Sequence, residues 1–410
     1  MYRKNVKRMK KIKNWLAQIF SVFCTEFRLL SRDQGVILFF AFLPIAYPII
    51  YSLIYNPELV RDVKFVVVDH DRTAASRELV RELDACQEAR SIGYAPDLSE
   101  ARHAMNSHKC YAILEIPAGF GRKTASMQQA QAVMYCEMSL LLRYRGFVVA
   151  TTNVAQNMGA EIQHAAANEY IPVAETLVTG DPLPVESVML GNTEAGFDSF
   201  IMPAVLILIL HQCIVLAVGM MGGAAHESPR KTGYYPLNEA RSVSATMIGK
   251  TLCYYLILAV PQIFLVHYVP VIFSFPVEGS IWQIQAFLLP MILACIALGF
   301  SLQPFVRERE AIFVIWVITS VFLLFLSGIT WPRFAMPEVW KWLGDIIPAT
   351  WGVEGFVKIS TNGATISQVG GCYTMLWILA AAYFILAWVL HKFVMRKQIA
   401  RNLARGLYNC

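Results

Sequence analysis

Six long stretches of this chain contain no Asp, Glu, Lys or Arg, and a chain built that way needs an apolar solvent for much of its length. They cover residues 35–55, 199–225, 251–277, 279–306, 311–332 and 361–390. Each has the roughly 20 residues that a helix needs to cross a bilayer's hydrocarbon core. Charged residues make up only 16% of the 410, against roughly 25% in an average soluble domain. The first apolar run begins late and has no small-residue cleavage site after it, so it reads as a span and not as a removable signal.

Charge sorts the rest of the chain into two compartments. Residues 56–197 carry 12 Lys/Arg and 18 Asp/Glu, a net of −6. The whole chain is +6, so what remains carries +12. Those cations flank the apolar runs: Lys10, Lys11 and Lys13 before the first, Arg230, Lys231, Arg241 and Lys250 after the second. Arg307 and Arg309 follow the fourth, and Lys392, Arg396 and Lys397 follow the sixth. Residues 268–282 have no Lys or Arg. The bias of Lys and Arg toward cytoplasmic loops puts both termini inside and residues 56–197 outside. The expected fold is therefore a polytopic α-helical membrane protein with six transmembrane helices and an inserted α/β extracytoplasmic domain. A basic balance next to apolar spans points to a membrane surface and not to a nucleic acid.

In this division, 1–34 is a basic cytoplasmic start with an amphipathic helix and 35–55 is the first span. Residues 198–395 hold the other five, with a cytoplasmic loop at 225–250 and interfacial helices at 329–360, and 396–410 is a basic cytoplasmic tail. Within 1–34, Leu16, Phe20, Phe23, Phe27 and Leu30 recur at steps of four and three, one stripe of a helix that lies in the interface. Trp331, Trp340, Trp342 and Trp351 suit the boundary between membrane and water.

The middle block alternates strand and helix signals. Residues 63–68, 92–95, 111–116 and 131–136 read as strands, and 73–86, 97–107 and 139–168 as helices, the second capped by Asp97 or Ser99. That alternation indicates a βαβ-type sheet. Three of the nine cysteines, Cys86, Cys110 and Cys136, fall in this block, and one disulfide among them would leave an odd thiol.

No catalytic, cofactor-binding or metal-binding set emerges. Ser244-Ala-Thr-Met-Ile-Gly-Lys-Thr251 misses the phosphate-loop pattern at its first glycine, follows no strand and runs into an apolar stretch. His211 and His267 are single imidazoles inside apolar runs, and His103 and His108 lack ligand spacing. The spans have no acid at mid-depth, which disfavours a proton- or sodium-coupled carrier.

Several stretches resemble the type 2 ABC transporter permeases, which have the type V exporter fold, in the branch with a large external domain after the first span. These are Glu26-Phe-Arg-Leu-Leu-Ser-Arg-Asp33, Val66-Val-Val-Asp-His-Asp-Arg-Thr73 and Tyr111-Ala-Ile-Leu-Glu-Ile-Pro117. To them is added the series Ser327-Gly, Pro332, Met336-Pro337 and Pro348-Ala-Thr-Trp351, in which Ile347 replaces the family's polar residue. The resemblance implies a permease without ATPase chemistry of its own, in the bacterial inner membrane. Its partners would be a nucleotide-binding ATPase subunit carrying ATP and magnesium, a second copy or a related permease, and the lipid bilayer, with a periplasmic adaptor as a further candidate. The transported substrate would be lipophilic or amphiphilic and would leave the cell. Tyr254, Tyr255, Phe322 and Phe325 are candidate lining residues. Docking of the ATPase falls to Glu227, Arg230, Lys231, Glu239 and Arg241, with Glu26, Arg32 and Asp33 as a second contact. Ser327, Gly328, Pro332, Met336, Pro337 and Pro348 mark an outer gate region. The competing reading is a membrane-anchored envelope scaffold whose exported domain binds other proteins.

Overall fold

The computed structural model describes the backbone of residues 2–55, 60–170, 191–192, 196–232, 242–395 and 397, with the side chains of these apart from 2–8, 164–170, 225 and 227–232. Contacts divide the chain into a helical unit, Met1–Asn56 with Met189–Cys410, and a second unit, Pro57–Val188.

Helix α1 spans Tyr2–Arg32. The chain then extends at Asp33, whose carboxylate accepts the amide of Val36 at 3.2 Å and caps α2, Gln34–Ile37. A π-helical turn, Leu38–Phe42, joins α2 to α3, Leu43–Tyr55.

The second unit is β1 (Val63–Asp69), α4 (Ala74–Asp84), β2 (Ala89–Tyr94), α5 (Leu98–Asn106), β3 (Ala112–Ile116), α6 (Phe120–Ala125), β4 (Val133–Cys136) and α7 (Leu141–Tyr170). The strand order is β2-β1-β3-β4, with β1 parallel to both neighbours and β4 antiparallel to β3. Alternation along β1 feeds two cores. Phe65 and Val67 meet Leu79 and Leu83 of α4 and Phe147 of α7, while Val66 and Val68 share a cluster with Ala101 of α5. Thr73 caps α4 and Asp97, not Ser99, caps α5. The short helix α6, which follows Pro117 and Gly119, is an element the sequence pattern does not announce.

Returning to the helical unit, α8 is Phe197–Thr232, so the helix of the second apolar run continues well into the expected loop. Next come α9 (Val243–Ile263), a π turn (Phe264–Tyr268), α10 (Val269–Ile272) and α11 (Ile281–Leu302). Then α12 (Ala311–Leu326), α13 (Glu338–Asp345), α14 (Pro348–Asn362) and α15 (Gly370–Leu390) follow, and a π turn, His391–Met395, continues α15. Among the described residues, five helices are long and apolar enough to cross a membrane: Gln34–Tyr55, Phe197–Ala224, Val243–Ile272, Ile281–Phe305 and Gly370–Met395. The fifth expected span holds α12, which has 16 residues; at 1.5 Å per residue it measures about 24 Å against a core of about 30 Å. Residues 361–369, expected inside the last span, instead hold the end of α14, a left-handed Gly363 and a turn. The core lies between α8 and α11, where Leu210, Ile214, Ala217, Leu288, Cys295 and Ile296 are fully buried.

Candidate functional site

Helix α1 lies alongside the first turns of α9, both numbered in the same direction. The indole nitrogen of Trp15 donates to Ser244 Oγ at 3.3 Å, and Gln18 Oε1 accepts the amide of Ser242 at 3.2 Å. One turn on, a Cβ at Gly249 would sit 2.7 Å from the carbonyl oxygen of Ile19 and 2.9 Å from Val22 Cβ, so only glycine lets the helices come this close. Further along, Glu26 accepts from the Lys250 ammonium at 3.1 Å and from the Tyr254 hydroxyl. Residues 15, 19, 22 and 26 recur at helical spacing, so this is one face of α1. Glu26 is 1% exposed and Tyr254 fully buried. A carboxylate and an ammonium withdrawn from water this far hold each other, because either one alone would be an uncompensated charge.

Tyr254 carries this contact into the bundle. Its ring packs 5.7 Å from those of Phe40 in the first span and Phe300 of α11. Phe300 in turn meets the His391 ring edge-on at 6.2 Å. His391 Nε2 lies 3.2 Å from Gln303 Oε1, and Gln303 Nε2 donates to the Val218 carbonyl of α8 at 2.8 Å. A continuous chain of packed rings and hydrogen bonds therefore links α1 to α9, α11, α15 and α8.

A second contact ties down the α1–α2 turn, where Asp33 pairs with Arg309, just ahead of α12. The turn that carries Arg309, between α11 and α12, presses against α8: a Cβ at Gly223 would lie 2.8 Å from the backbone of Glu308 and Arg309.

The expected docking residues distribute as follows. Glu26 and Asp33 face internal partners, which removes Glu26 from any surface a partner could touch, while Arg32 is exposed. Glu227, Arg230 and Lys231 lie on the last turns of α8, with side chains outside the described residues; Glu239 and Arg241 fall outside as well. The α1 stripe is not the face that packs on α9: Leu16, Phe20 and Phe27 remain exposed, and of the five only Leu30 is buried. The near-phosphate-loop Lys250 is the ion-pair partner of Glu26. Tyr254 is fully buried in the core, whereas Phe322 and Phe325 are exposed on α12. His267 contacts Gln285 at 3.0 Å, and Gln285 accepts from Gln262 at 2.7 Å. His211 is buried, with neither ring nitrogen hydrogen-bonded among the described atoms.

At the other end of α12, the chain turns at Gly328 (φ +90°), and Ser327 and Met336 are buried. Pro332 and Pro337 are exposed; Pro337 precedes α13, and Pro348 starts α14. The group that joins these pieces adds Arg333 and Asp345, which the sequence did not single out, to Trp351, which it did. Arg333 pairs with Asp345 and lies 5.0 Å over the Trp351 ring, and Trp351 Nε1 donates to the Asp345 carbonyl at 3.0 Å.

In the α/β unit, the carboxyl ends of β1 and β3 form the crevice where sheets of this order commonly hold ligands. Here Asp71 fills it. Its carboxylate accepts the amides of Gly119 at 2.7 Å and Gly121 at 2.8 Å and the Thr73 hydroxyl at 2.6 Å. The Thr73 hydroxyl bond, then these amides, hold the Asp71 carboxyl below its ordinary value. Cys86, Cys110 and Cys136 are free thiols, and burial raises the pKa of all three. Among the described residues no cluster could hold a metal ion.

A set of long apolar helices with a separate α/β unit is an architecture that includes transporter permeases. A profile of the ABC-2 family transporter proteins matches residues 35–389. The chain belongs to that family, and so is a multi-pass membrane component of the type 2 ABC permease class. It is also 23% identical over 300 residues to ABC transporter G family member 20 of Dictyostelium discoideum. That match takes in 71% of this chain but only 38% of the relative's length.

Proposed function

We propose that this chain is the membrane-spanning subunit of an ATP-driven exporter that moves a lipophilic or amphiphilic substrate out across a bacterial inner membrane. Two such permeases would work with two separate nucleotide-binding subunits. The reading has six spans, α12 being completed by the residues that follow it, with both termini in the cytoplasm and the α/β unit outside. The observation that carries it is the α1–α9 junction. A long helix with nine Lys/Arg and one acid, that acid buried against Lys250 and Tyr254, is built to transmit force from the cytoplasmic surface into the spans. Closure of the ATPase pair would push on α1 and on the last turns of α8. Tyr254, Phe300, His391 and Gln303 would pass that push to α11, α15 and α8, because they form a contiguous set of packed rings and hydrogen bonds between these helices. The cluster of Arg333, Asp345 and Trp351 would brace the outer end.

The test is purification of the tagged chain in mild detergent from its native membrane. A co-purifying subunit with a complete phosphate loop, whose ATPase activity drives substrate export in vesicles, is the expected outcome. Transport that survives inactivation of that ATPase would overturn the reading. Recovery with envelope proteins and no ATPase would favour the scaffold.

A further inference from the structure

Between the end of α1, the start of the first span and α9 lies a cavity of about 420 Å³. Its walls are Phe27, Leu30, Ile37, Phe40, Leu256 and Val260, and its polar contribution is little more than Ser31. It exists because Asp33 bends the chain: α1 and the first span diverge from that residue, and α9 closes only one side. Phe27, Ile37, Leu256 and Val260 are all more than two-fifths exposed, so the opening faces sideways through an apolar surface. On the inner side Phe40 touches Tyr254, the hydroxyl of which binds Glu26.

Charge identifies the occupant. Apart from the buried Glu26, every charged residue of α1 is a Lys or Arg. Arg28 and Arg32 are exposed and directly adjoin the wall residues Phe27 and Ser31 in the chain, and the Ser31 hydroxyl donates to the Arg28 carbonyl at 3.1 Å. Lys10, Lys11 and Lys13 are exposed on the same helix. Exposed Met9, Ile12, Leu16 and Phe20 extend an apolar stripe from the cavity toward the N-terminus. An apolar slot beside unneutralised cations matches a molecule with hydrocarbon at one end and negative charge at the other.

We propose that this cavity binds an acyl chain of an acidic phospholipid from the cytoplasmic leaflet, with its headgroup among the cations of α1. The lipid then wedges α1 against the first span beside the Glu26–Lys250–Tyr254 contact. This rests on the reading that α1 lies at the cytoplasmic surface.

The experiment uses the full chain alone, in nanodiscs of phosphatidylglycerol and phosphatidylethanolamine, followed by native mass spectrometry of the released protein. Wild type retains phosphatidylglycerol in preference to phosphatidylethanolamine. Ala41→Phe, which fills the cavity, and Val260→Trp, which covers its exposed rim, each lower retention about tenfold, as when about two methylenes lose their burial. Arg28→Gln with Arg32→Gln removes the preference for the acidic lipid by about tenfold or more. Equal retention by both cavity variants, no headgroup preference in wild type, or recovery of a non-lipid molecule in place of lipid would each overturn the proposal. Cys24 is exposed on α1. As the sole retained cysteine, its labelling by an impermeant maleimide in sided vesicles reports which leaflet α1 faces, so a failed orientation is told apart from a failed lipid site.

Discussion

Glu26 is the residue on which the α1–α9 junction turns. It is buried with Lys250, so removing one partner strands the other. Lys250→Met should cost about 3–5 kcal/mol, whereas the double variant with Glu26→Gln should recover much of that loss. Thermal unfolding in detergent measures both, and additive losses would show that the two charges do not depend on each other. Tyr254→Phe keeps the ring between Phe40 and Phe300 but loses the hydrogen bond to the carboxylate; a loss of about 1.5–3 kcal/mol is expected in the same assay. Asp71 in the α/β unit sets a pH dependence. Its carboxyl is held below 3.8 by the Thr73 hydroxyl and the glycine amides, so it ionises more readily folded than unfolded. The stability it contributes is therefore present above pH 3.8 and is lost as pH falls through the lower, folded value. Asp71→Asn should remove that acid-side loss and lower protection of the α6 amides at neutral pH, which hydrogen exchange on the full chain reports.

At the scale of elements, α1 and α9 behave as one rigid pair because Gly249 lets them touch. Gly249→Leu would drive a side chain into the backbone of Ile19. On the proposed function, the expected result is a chain that still folds and still binds an ATPase subunit whose activity no longer responds to substrate; an undiminished response would show that α1 is not the lever. This pairing also marks what a sequence can tell. The apolar stripe of α1 is visible at steps of three and four, yet it is the exposed face. The packing face is Trp15, Gln18, Ile19, Val22 and Glu26, a mixed set that hydrophobic periodicity ranks low. The signal was there in another form: a single acid in a helix crowded with cations, and a lone Lys250 at the head of an apolar run. Partner choice across 224 residues, from Glu26 to Lys250, is tertiary information that local pattern does not hold. The β-strands were easier to read, because β-branched runs, Pro117 and the caps Thr73 and Asp97 are local. The α6 turn was not, since its anchor Asp71 lies 48 residues before Gly119.

On the scale of the whole molecule, α12 is among the helices that the helical unit leaves largely uncovered. Val314, Val317, Ile318, Val321 and Phe325 of α12 are exposed, and the helix is short for a bilayer. A second copy is the family's expected neighbour for such a surface. A single cysteine at Val321→Cys, with the native cysteines replaced, should form a cross-link between two copies on mild oxidation. No cross-link, together with labelling by a lipid-soluble maleimide, would place that face against lipid. Apolar runs made the spans legible, but which of them are central was not. The central places of α8 and α11 follow from Gly299, where a Cβ would lie 2.8 Å from Val218 of α8, and from small residues such as Ala217, Ala294 and Ala297, and composition alone does not order helices around a centre.

Three of the membrane helices carry a π-helical turn: Leu38–Phe42, Phe264–Tyr268 and His391–Met395. Such a turn is a helix holding one surplus residue. Moving that surplus one turn along rotates the intervening segment by about 100° and shifts it by about 1.5 Å, without breaking the helix at either side. Phe40, which walls the lipid cavity and touches Tyr254, lies inside one of these turns, and His391, which touches Gln303, opens another. The spans are screws with slack in their threads, so a push on α1 can be taken up as rotation of whole helices at fixed length.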